Sequence, residues 1–132
     1  MTEREENKIT NFNNALKRLT EANIEYKKNK KNDLYRDALI KRFEFTFELS
    51  WKCLKEYLEY NGVTVRDTPR DILKTAYQKN LINNEKVWLS MMEDRNLTSH
   101  IYKEAQAVAI AEDISMKFCK ELATLKVLFE QD

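Results

Sequence analysis

Residues that shape turns are nearly absent from this chain of 132 residues. It contains one glycine, Gly62, and one proline, Pro69, far below the usual share of these residues in globular proteins. Hairpins and irregular loops depend on both residue types for their backbone geometry. Their scarcity predicts an all-α protein. The length suits one domain, residues 1–132, which can bury about two thirds of the surface that the unfolded chain exposes.

Cysteines and long apolar runs are also scarce. The two cysteines, Cys53 and Cys119, lie far apart and have no other ligand-type residue at metal spacing, which predicts two buried free thiols and no bound metal. Residues 1–6 lack the apolar core of a signal peptide, and no apolar run approaches the roughly 20 residues that span a bilayer. We therefore expect a cytoplasmic protein with no membrane segment.

Neither sign of charge is in clear excess. The 23 basic and 22 acidic side chains give a net charge of +1, so no overall field would attract long nucleic acid or an anionic membrane. Any contact with RNA must then be local. Residues 27–32, which read KKNKKN, are interpreted as a solvated turn, with RNA contact as the minor alternative.

What the chain does contain is helical periodicity. Apolar residues recur three and four positions apart, the spacing of one helix face. This pattern predicts helices over about residues 3–29 and 33–61, a third from Pro69 to about Lys79, a fourth capped by Asn83 or Asn84, and a last one over about 103–130. Gly62 is expected to end the second helix and Thr68 to cap the third. The predicted architecture is a single antiparallel bundle of four to five helices.

The second predicted helix has an unusually wide apolar surface. Its apolar arc covers roughly 200°, more than one packing partner requires. This helix is therefore either central or also part of a subunit interface. Phe45 projects instead among Lys41, Glu48 and Lys52, where it has no core to enter. Single exposed aromatics are common, so an interface role for Phe45 remains one of two interpretations.

The most informative stretch is residues 95–102, RNLTSHIY, which holds the only histidine, His100, five positions after Arg95. Histidine can move protons near neutral pH, and arginine stays charged and binds phosphate oxygens in pairs. A tight turn between the last two helices would bring Arg95, His100 and Tyr102 to one cleft. His100 could then take the proton of a ribose 2′-hydroxyl while Arg95 neutralises the phosphate. Asn96 could bind phosphate or orient the histidine.

Two consequences follow from this arrangement. Arg95 falls on the same stripe as Trp88 and Met91, and its guanidinium needs a partner or a wet cleft because an unpaired buried charge costs several kcal/mol. A single histidine cannot easily act as both base and acid in one step. A symmetric homodimer, with two copies of Arg95 and His100 facing each other, would supply the second group.

A purely structural interpretation competes with catalysis. A lone histidine at a helix junction usually satisfies backbone groups, and Arg95 would then form surface ion pairs beside Glu93 and Asp94. Thr98 and Ser99 would cap the last helix. Metal catalysis is not expected, since the chain has no second histidine and the nearby acids lack ligand spacing.

The RNLTSHIY stretch resembles the R-x4-H-x-Y motif of HEPN proteins, the small helical partners of minimal nucleotidyltransferases. The likeness extends through residues 43–52, 68–71 and 87–100, which resemble the branch named nucleotidyltransferase substrate-binding proteins. It covers about the middle half of the chain. The ends resemble the family only in being helical.

The resemblance implies a helical bundle that dimerises and binds a separately encoded minimal nucleotidyltransferase, often from a neighbouring gene. Many such pairs are toxin and antitoxin. Arg95 and His100 match the catalytic pair of a metal-independent ribonuclease that needs no cofactor, with an RNA such as tRNA as its substrate. Asn96 matches a polar position that often follows the arginine. Tyr102 matches the tyrosine that the partner modifies with AMP.

Three functions therefore stay open. The first is a ribonuclease toxin silenced by adenylylation at Tyr102, and the second is a non-catalytic subunit that binds a nucleotide or substrate for the nucleotidyltransferase. The third is a helical interaction module in which the motif is structural. The near-neutral charge slightly favours the second over the first. Local basic clusters such as Lys27 to Lys31, or a groove formed only in the dimer, would supply the missing field, so the ribonuclease toxin is the preferred interpretation. The chain lacks the glycine-serine turn and paired aspartates of a nucleotidyltransferase, so any transfer chemistry must come from another chain.

Overall fold

The computed structural model describes residues 2–101 and 103–131, and these form helices without any strand. The helices are α1 (Glu3–Lys28), α2 (Asp33–Tyr60), α3 (Pro69–Gln78), α4 (Glu85–Leu97), α5 (Glu104–Asp113) and α6 (Cys119–Glu130). A 3-10 turn, Thr98–His100, follows α4, and a π-helical segment, Ile114–Phe118, joins α5 to α6. If α5 and α6 are taken as one interrupted helix, the bundle has five. The all-α prediction is confirmed.

The helix boundaries follow the local signals in the sequence. The Thr68 side chain accepts a hydrogen bond from the Asp71 amide at the start of α3, and Asn84 caps α4 in the same way. Gly62 follows α2 with φ +79°, the left-handed conformation that glycine adopts without strain. The polar run at 27–32 is a turn only in part. Helix α1 continues to Lys28, because basic side chains suit the negative end of a helix.

Helix α2 is the central element of the bundle. It packs against every other helix and against the π-helical segment, which confirms the central interpretation of its wide apolar arc. Phe43 lies inside, with ring centroids 6.1 Å from Phe47 and 5.4 Å from Phe118. Offset aromatic pairs of this kind add packing energy beyond their buried area. The core therefore fixes the outward positions of α2, including Glu44 and Phe45.

The last helical stretch buries all of its predicted inner positions, which are Ala107, Ala111, Ile114, Phe118, Leu122, Leu125 and Phe129. One outer position, Glu112, differs from the prediction because it is only partly exposed. Its carboxylate accepts a hydrogen bond from the Tyr26 hydroxyl at 2.9 Å and pairs with Lys30 Nζ at 3.1 Å. This pairing links α5 to the end of α1.

Both cysteines are free thiols. Cys53 is buried, and its thiol donates to the Lys8 carbonyl at 3.2 Å. Cys119 is only half-buried, so the prediction of two buried thiols is correct for Cys53 alone. Burial raises the pKa of each to about 12, which keeps them protonated and poorly nucleophilic at neutral pH.

Over residues 2–101 and 103–131, the helices are either too short or too polar to span a bilayer.

Candidate functional site

Arg95 lies near the end of α4, on the face that buries Trp88 and Met91. Its side chain is 25% exposed and faces two carboxylates of α2. The Nε atom lies 3.4 Å from Glu48 Oε1, and Nη1 lies 3.8 Å from Glu44 Oε2. Residues four apart on a helix share one face, so α2 presents both acids to α4. Glu44 and Glu48 are therefore the partners that the guanidinium of Arg95 needs on this apolar face of α4.

These contacts correct the structural alternative for Arg95. Its ion pairs are with Glu44 and Glu48, and not with its chain neighbours Glu93 and Asp94. The neighbours project from other sides of α4, since successive residues on a helix are about 100° apart.

The surroundings of Arg95 hold its guanidinium in place. The Trp51 Nε1–H donates to Glu48 Oε2 at 3.2 Å. Arg95 Nη1 donates to Thr98 Oγ1 at 3.3 Å, and the Thr98 hydroxyl donates back to the Arg95 carbonyl at 2.7 Å. The Arg95 Nε–H is buried and has no acceptor in hydrogen-bond geometry among the described residues. This Nε is therefore in ion-pair contact with Glu48 but makes no hydrogen bond within the part of the chain that the structure describes.

Thr98 thus has a different role from the predicted one. It ties the 3-10 turn to Arg95 and does not cap the last helix. The residue at that cap position is Lys103, and no side-chain hydrogen bond closes that end of α5. Ser99 lies within the same turn and is exposed.

His100 ends the 3-10 turn and is exposed. It lines an open groove of about 210 Å³ together with Leu97, Gln106 and two carboxyl groups, those of Asp94 and Asp113. Arg95 does not line this groove. Within one chain, the described geometry brings His100 to the α4–α5 side and Arg95 to the α2–α4 side, on either side of one short turn.

Of the other two predicted site residues, the structure describes Asn96 but not Tyr102. Asn96 is exposed in the last turn of α4, next to Arg95 in the chain. Tyr102 lies outside the described residues. The convergence of Arg95, His100 and Tyr102 in one cleft stays a prediction.

The carboxyl pair beside His100 was missed by the sequence analysis. Burial, and then the nearby charge of Asp113, raise the pKa of Asp94 to about 6. Asp113 in turn lies 3.8 Å from Lys117 Nζ. A carboxyl group with such a pKa holds a proton at mildly acid pH, and strongly shifted groups concentrate at functional sites. The only local signal was the position of Asp94 directly before Arg95, because Asp113 is remote in sequence.

Metal ligands are not gathered at this site. Among residues 2–101 and 103–131, no group of three or more histidine, cysteine, aspartate or glutamate side chains is placed to hold a metal ion. The chemistry that the arrangement itself offers is proton transfer by His100 and the Asp94 carboxyl, and charge neutralisation by Arg95.

The fold and motif together define a class. An all-α bundle with an arginine near the end of its fourth helix, followed by a histidine on the next turn, is the arrangement that the resemblance to HEPN proteins implied. The chain belongs to the nucleotidyltransferase substrate binding protein like family, whose model matches residues 7–131. The resemblance inferred from residues 43–100 is therefore confirmed, and it extends to nearly the whole chain.

Two known proteins illustrate the similarity in sequence. A probable ribonuclease HepT of Haemophilus influenzae is 34% identical over 79 residues, which are 57% of this chain and 54% of that protein. The chain thus spans about half the length of this curated relative. A crystal structure from Thermus thermophilus matches with a TM-score of 0.75 and 30% identity, over 86% of this chain and 94% of that one.

Two further solved structures have the same fold. A Haemophilus influenzae protein, a substrate binding domain of a nucleotidyltransferase, matches with a TM-score of 0.83 and 25% identity, over 93% of this chain and 99% of its own. A tri-AMPylated HEPN toxin of Shewanella oneidensis, in complex with its MNT antitoxin, matches with a TM-score of 0.80 over 100% of both chains. Its identity is 17%, so that likeness concerns the fold alone.

Proposed function

We propose that this chain is a metal-independent ribonuclease toxin and the helical partner of a separately encoded minimal nucleotidyltransferase, which silences it by adenylylating Tyr102. The observation that carries the proposal is the intact R-x4-H-x-Y motif of the sequence, whose Arg95 lies near the end of α4 and whose His100 ends the 3-10 turn that follows. Thr98 bonds to Arg95 at the start of that turn, and His100 lies exposed at its end. The name of one relative, a probable ribonuclease HepT that is 34% identical over 79 residues, supports the same function.

The proposed reaction is transesterification of RNA. His100 takes the proton of a ribose 2′-hydroxyl, and the freed oxygen attacks the adjacent phosphorus. The 5′-oxygen leaves with a proton, and a 2′,3′-cyclic phosphate remains. Arg95 neutralises the charge that grows on the phosphate, exchanging a carboxylate of α2 for the substrate, and Asn96 offers a further hydrogen bond. In a homodimer, the second copy of His100 supplies the departing proton.

Adenylylation would switch this reaction off. The Tyr102 hydroxyl attacks the α-phosphorus of ATP in the partner's active site, loses its proton and releases pyrophosphate. The product carries a negative phosphodiester and a bulky adenosine two positions after His100 in the chain. Negative charge at the cleft repels RNA phosphates. We propose that the pair acts in the cytoplasm, on an RNA such as tRNA.

A second candidate is a non-catalytic subunit that binds a nucleotide or acceptor substrate for the nucleotidyltransferase. Two observations favour it. The charge is nearly balanced, with 23 basic and 22 acidic residues, and a ribonuclease acting on large RNA usually gains from a basic face. The guanidinium of Arg95 is also already paired with Glu44 and Glu48.

Cleavage of total tRNA in EDTA tests the proposal. Wild type is compared with His100→Ala and Arg95→Ala, after circular dichroism and light scattering have established that all three are folded and have the same mass. We expect wild type to cut and each variant to lose at least about 100-fold in rate, the contribution typical of a general base or a charge-stabilising group.

Mass spectrometry of Tyr102 completes the test. Wild type with an unmodified tyrosine that cuts no tRNA would contradict the toxin function for that substrate and favour the binding subunit. If the unmodified protein does cut, co-expression with its proposed partner nucleotidyltransferase should add AMP to Tyr102 and abolish cleavage. The Tyr102→Phe variant should then stay active in the same co-expression.

A further inference from the structure

A groove between α1 and α2 forms a second concave surface, apart from the motif turn. Its volume is about 400 Å³, within the range of small-molecule sites. Three basic side chains line it, Arg18, Lys41 and Arg42, and none of the lining residues is acidic. In a chain whose charges nearly cancel, this local excess of positive charge selects an anionic ligand.

An exposed aromatic ring lies in the same groove. Phe45 is 60% exposed, as its position on the polar side of α2 predicted, and its ring lines the groove. Lys41 Nζ lies 5.4 Å from the centroid of the Phe45 ring. An exposed cation–π contact is worth only about 0.5–1 kcal/mol, so a planar ligand can displace the ammonium from the ring and still contact it.

The groove also offers hydrogen-bonding groups from Arg42 and from two asparagines, Asn11 and Asn14. Arg42 Nη1 donates to the Arg18 carbonyl at 2.8 Å, which holds the guanidinium against α1. Its other N–H groups stay available, since a guanidinium has five donors. Asn11 and Asn14 line the α1 wall three positions apart, so their carboxamides share one face. A carboxamide can both donate to and accept from the edge of a base.

From this combination we infer that the α1–α2 groove binds a nucleoside phosphate unit, with the base stacked on Phe45 and the phosphate held by Lys41, Arg18 and Arg42. Aromatic stacking beside a basic groove is the common physical basis of binding to single-stranded nucleic acid. The unit can be a free mononucleotide or one residue of a single-stranded RNA. For a single-stranded RNA, the inference rests on the proposed ribonuclease function. Phe45 lies in the chain between Glu44 and Glu48, the partners of Arg95, so the groove and the proposed catalytic arginine share one segment of α2.

Binding is measured in a His100→Ala background so that no RNA is cleaved. A fluorescein-labelled single-stranded RNA decamer is titrated by anisotropy, and unlabelled AMP is added as a competitor. We expect Phe45→Ala to weaken RNA binding about tenfold and Phe45→Trp to retain it, since a stacked base contributes about 1–3 kcal/mol. Lys41→Gln should weaken binding and lower the slope of log K against log salt by about 1.

The matched control is Leu34→Ala. Leu34 is 74% exposed on the same helix and lies outside the groove, so its loss should leave binding unchanged. Displacement of the decamer by AMP would identify the mononucleotide as a ligand in its own right. Failure of AMP to compete, with Phe45-dependent RNA binding, would identify the strand as the ligand.

Three results would overturn the inference. They are RNA and AMP binding that is unchanged in Phe45→Ala, no binding of either probe to the parent at about 50 mM salt, and a change of assembly mass in Phe45→Ala but not in Leu34→Ala. The last would mean that another chain covers the groove. Cleavage of tRNA by protein with His100 intact is scored separately. Loss of this inference therefore leaves the ribonuclease proposal standing, and loss of the ribonuclease proposal leaves the mononucleotide as the ligand of the groove.

Discussion

Asp94 holds its proton more tightly than an ordinary aspartate. Burial and the charge of Asp113 raise its pKa from 3.8 to about 6. The folded protein therefore binds more protons than the unfolded chain between these two values. The stability that comes from this proton is complete below about pH 3.8 and is lost as the pH rises through about 6. At neutral pH the ionised carboxylate is a cost to the folded state.

Replacing Asp94 with asparagine should remove that cost. Asp94→Asn keeps the shape but cannot ionise, so we expect it to raise the free energy of unfolding at about pH 7.5 by about 1–2 kcal/mol, a value reduced for partial exposure to solvent. At about pH 4.5 the gain should shrink towards zero. Urea unfolding at both pH values measures the difference. Glu21→Gln, an exposed carboxyl of α1, is the control, and a gain for Asp94→Asn that does not depend on pH would contradict the argument.

The residues of the site differ in how far sequence alone could identify them. Arg95 and His100 stood out because the chain has one histidine and because Arg95 interrupts an apolar stripe. That stripe also showed that the guanidinium needs a partner. It could not show that Glu44 and Glu48 supply it, because this depends on how α2 is rotated against α4. Such a rotation is set by packing between distant segments and leaves no local pattern.

At the scale of the elements, Gly62 is needed at the end of α2 for its backbone conformation and not because a side chain would clash there. Its φ is +79°, and a Cβ added there would meet no atom within 4 Å. Gly62→Ala should therefore lower the free energy of unfolding by about 1 kcal/mol through backbone strain alone. Gly62→Asn should lose less, because asparagine tolerates the left-handed region, as Asn80 does here at φ 61°. Urea unfolding of both variants measures this, and equal losses would show that backbone conformation is not the cause.

The helices themselves were predictable because periodicity and capping residues are local signals. Thr68, Pro69 and Gly62 marked boundaries that the structure has within a residue or two. The π-helical segment Ile114–Phe118 was not predictable, since it contains neither glycine nor proline. Its wider turn keeps Ile114 and Phe118 buried on one side together with Leu122, four positions apart each time. That need comes from the core, which only the assembled bundle defines.

At the scale of the whole molecule, two features favour a ribonuclease site shared between two copies of the chain. The charges are nearly balanced, and Arg95 and His100 lie on different sides of the motif turn. Within one chain, Arg95 faces α2 while His100 lines the α4–α5 groove. A twofold axis near the motif turn would place groups of both copies around one substrate. It would also bring two copies of Arg95 to one surface, a local positive charge that the net charge of +1 per chain does not supply by itself.

Mixed dimers test whether two copies of His100 act together in the proposed homodimer. Wild type and His100→Ala are unfolded, combined in equal amounts and refolded, so that random pairing leaves about one quarter of the dimers with two histidines. If one histidine is the base and the other the acid, tRNA cleavage should fall to about one quarter of that of pure wild type at equal total concentration, whereas independent sites would give about one half. Mixing the two proteins after separate refolding, without exchange, should give one half in either case. A value of one half after joint refolding would therefore contradict a shared active site. Each chain would then have to supply its own acid, and among the described residues the Asp94 carboxyl in the His100 groove, with its pKa raised to about 6, is one candidate.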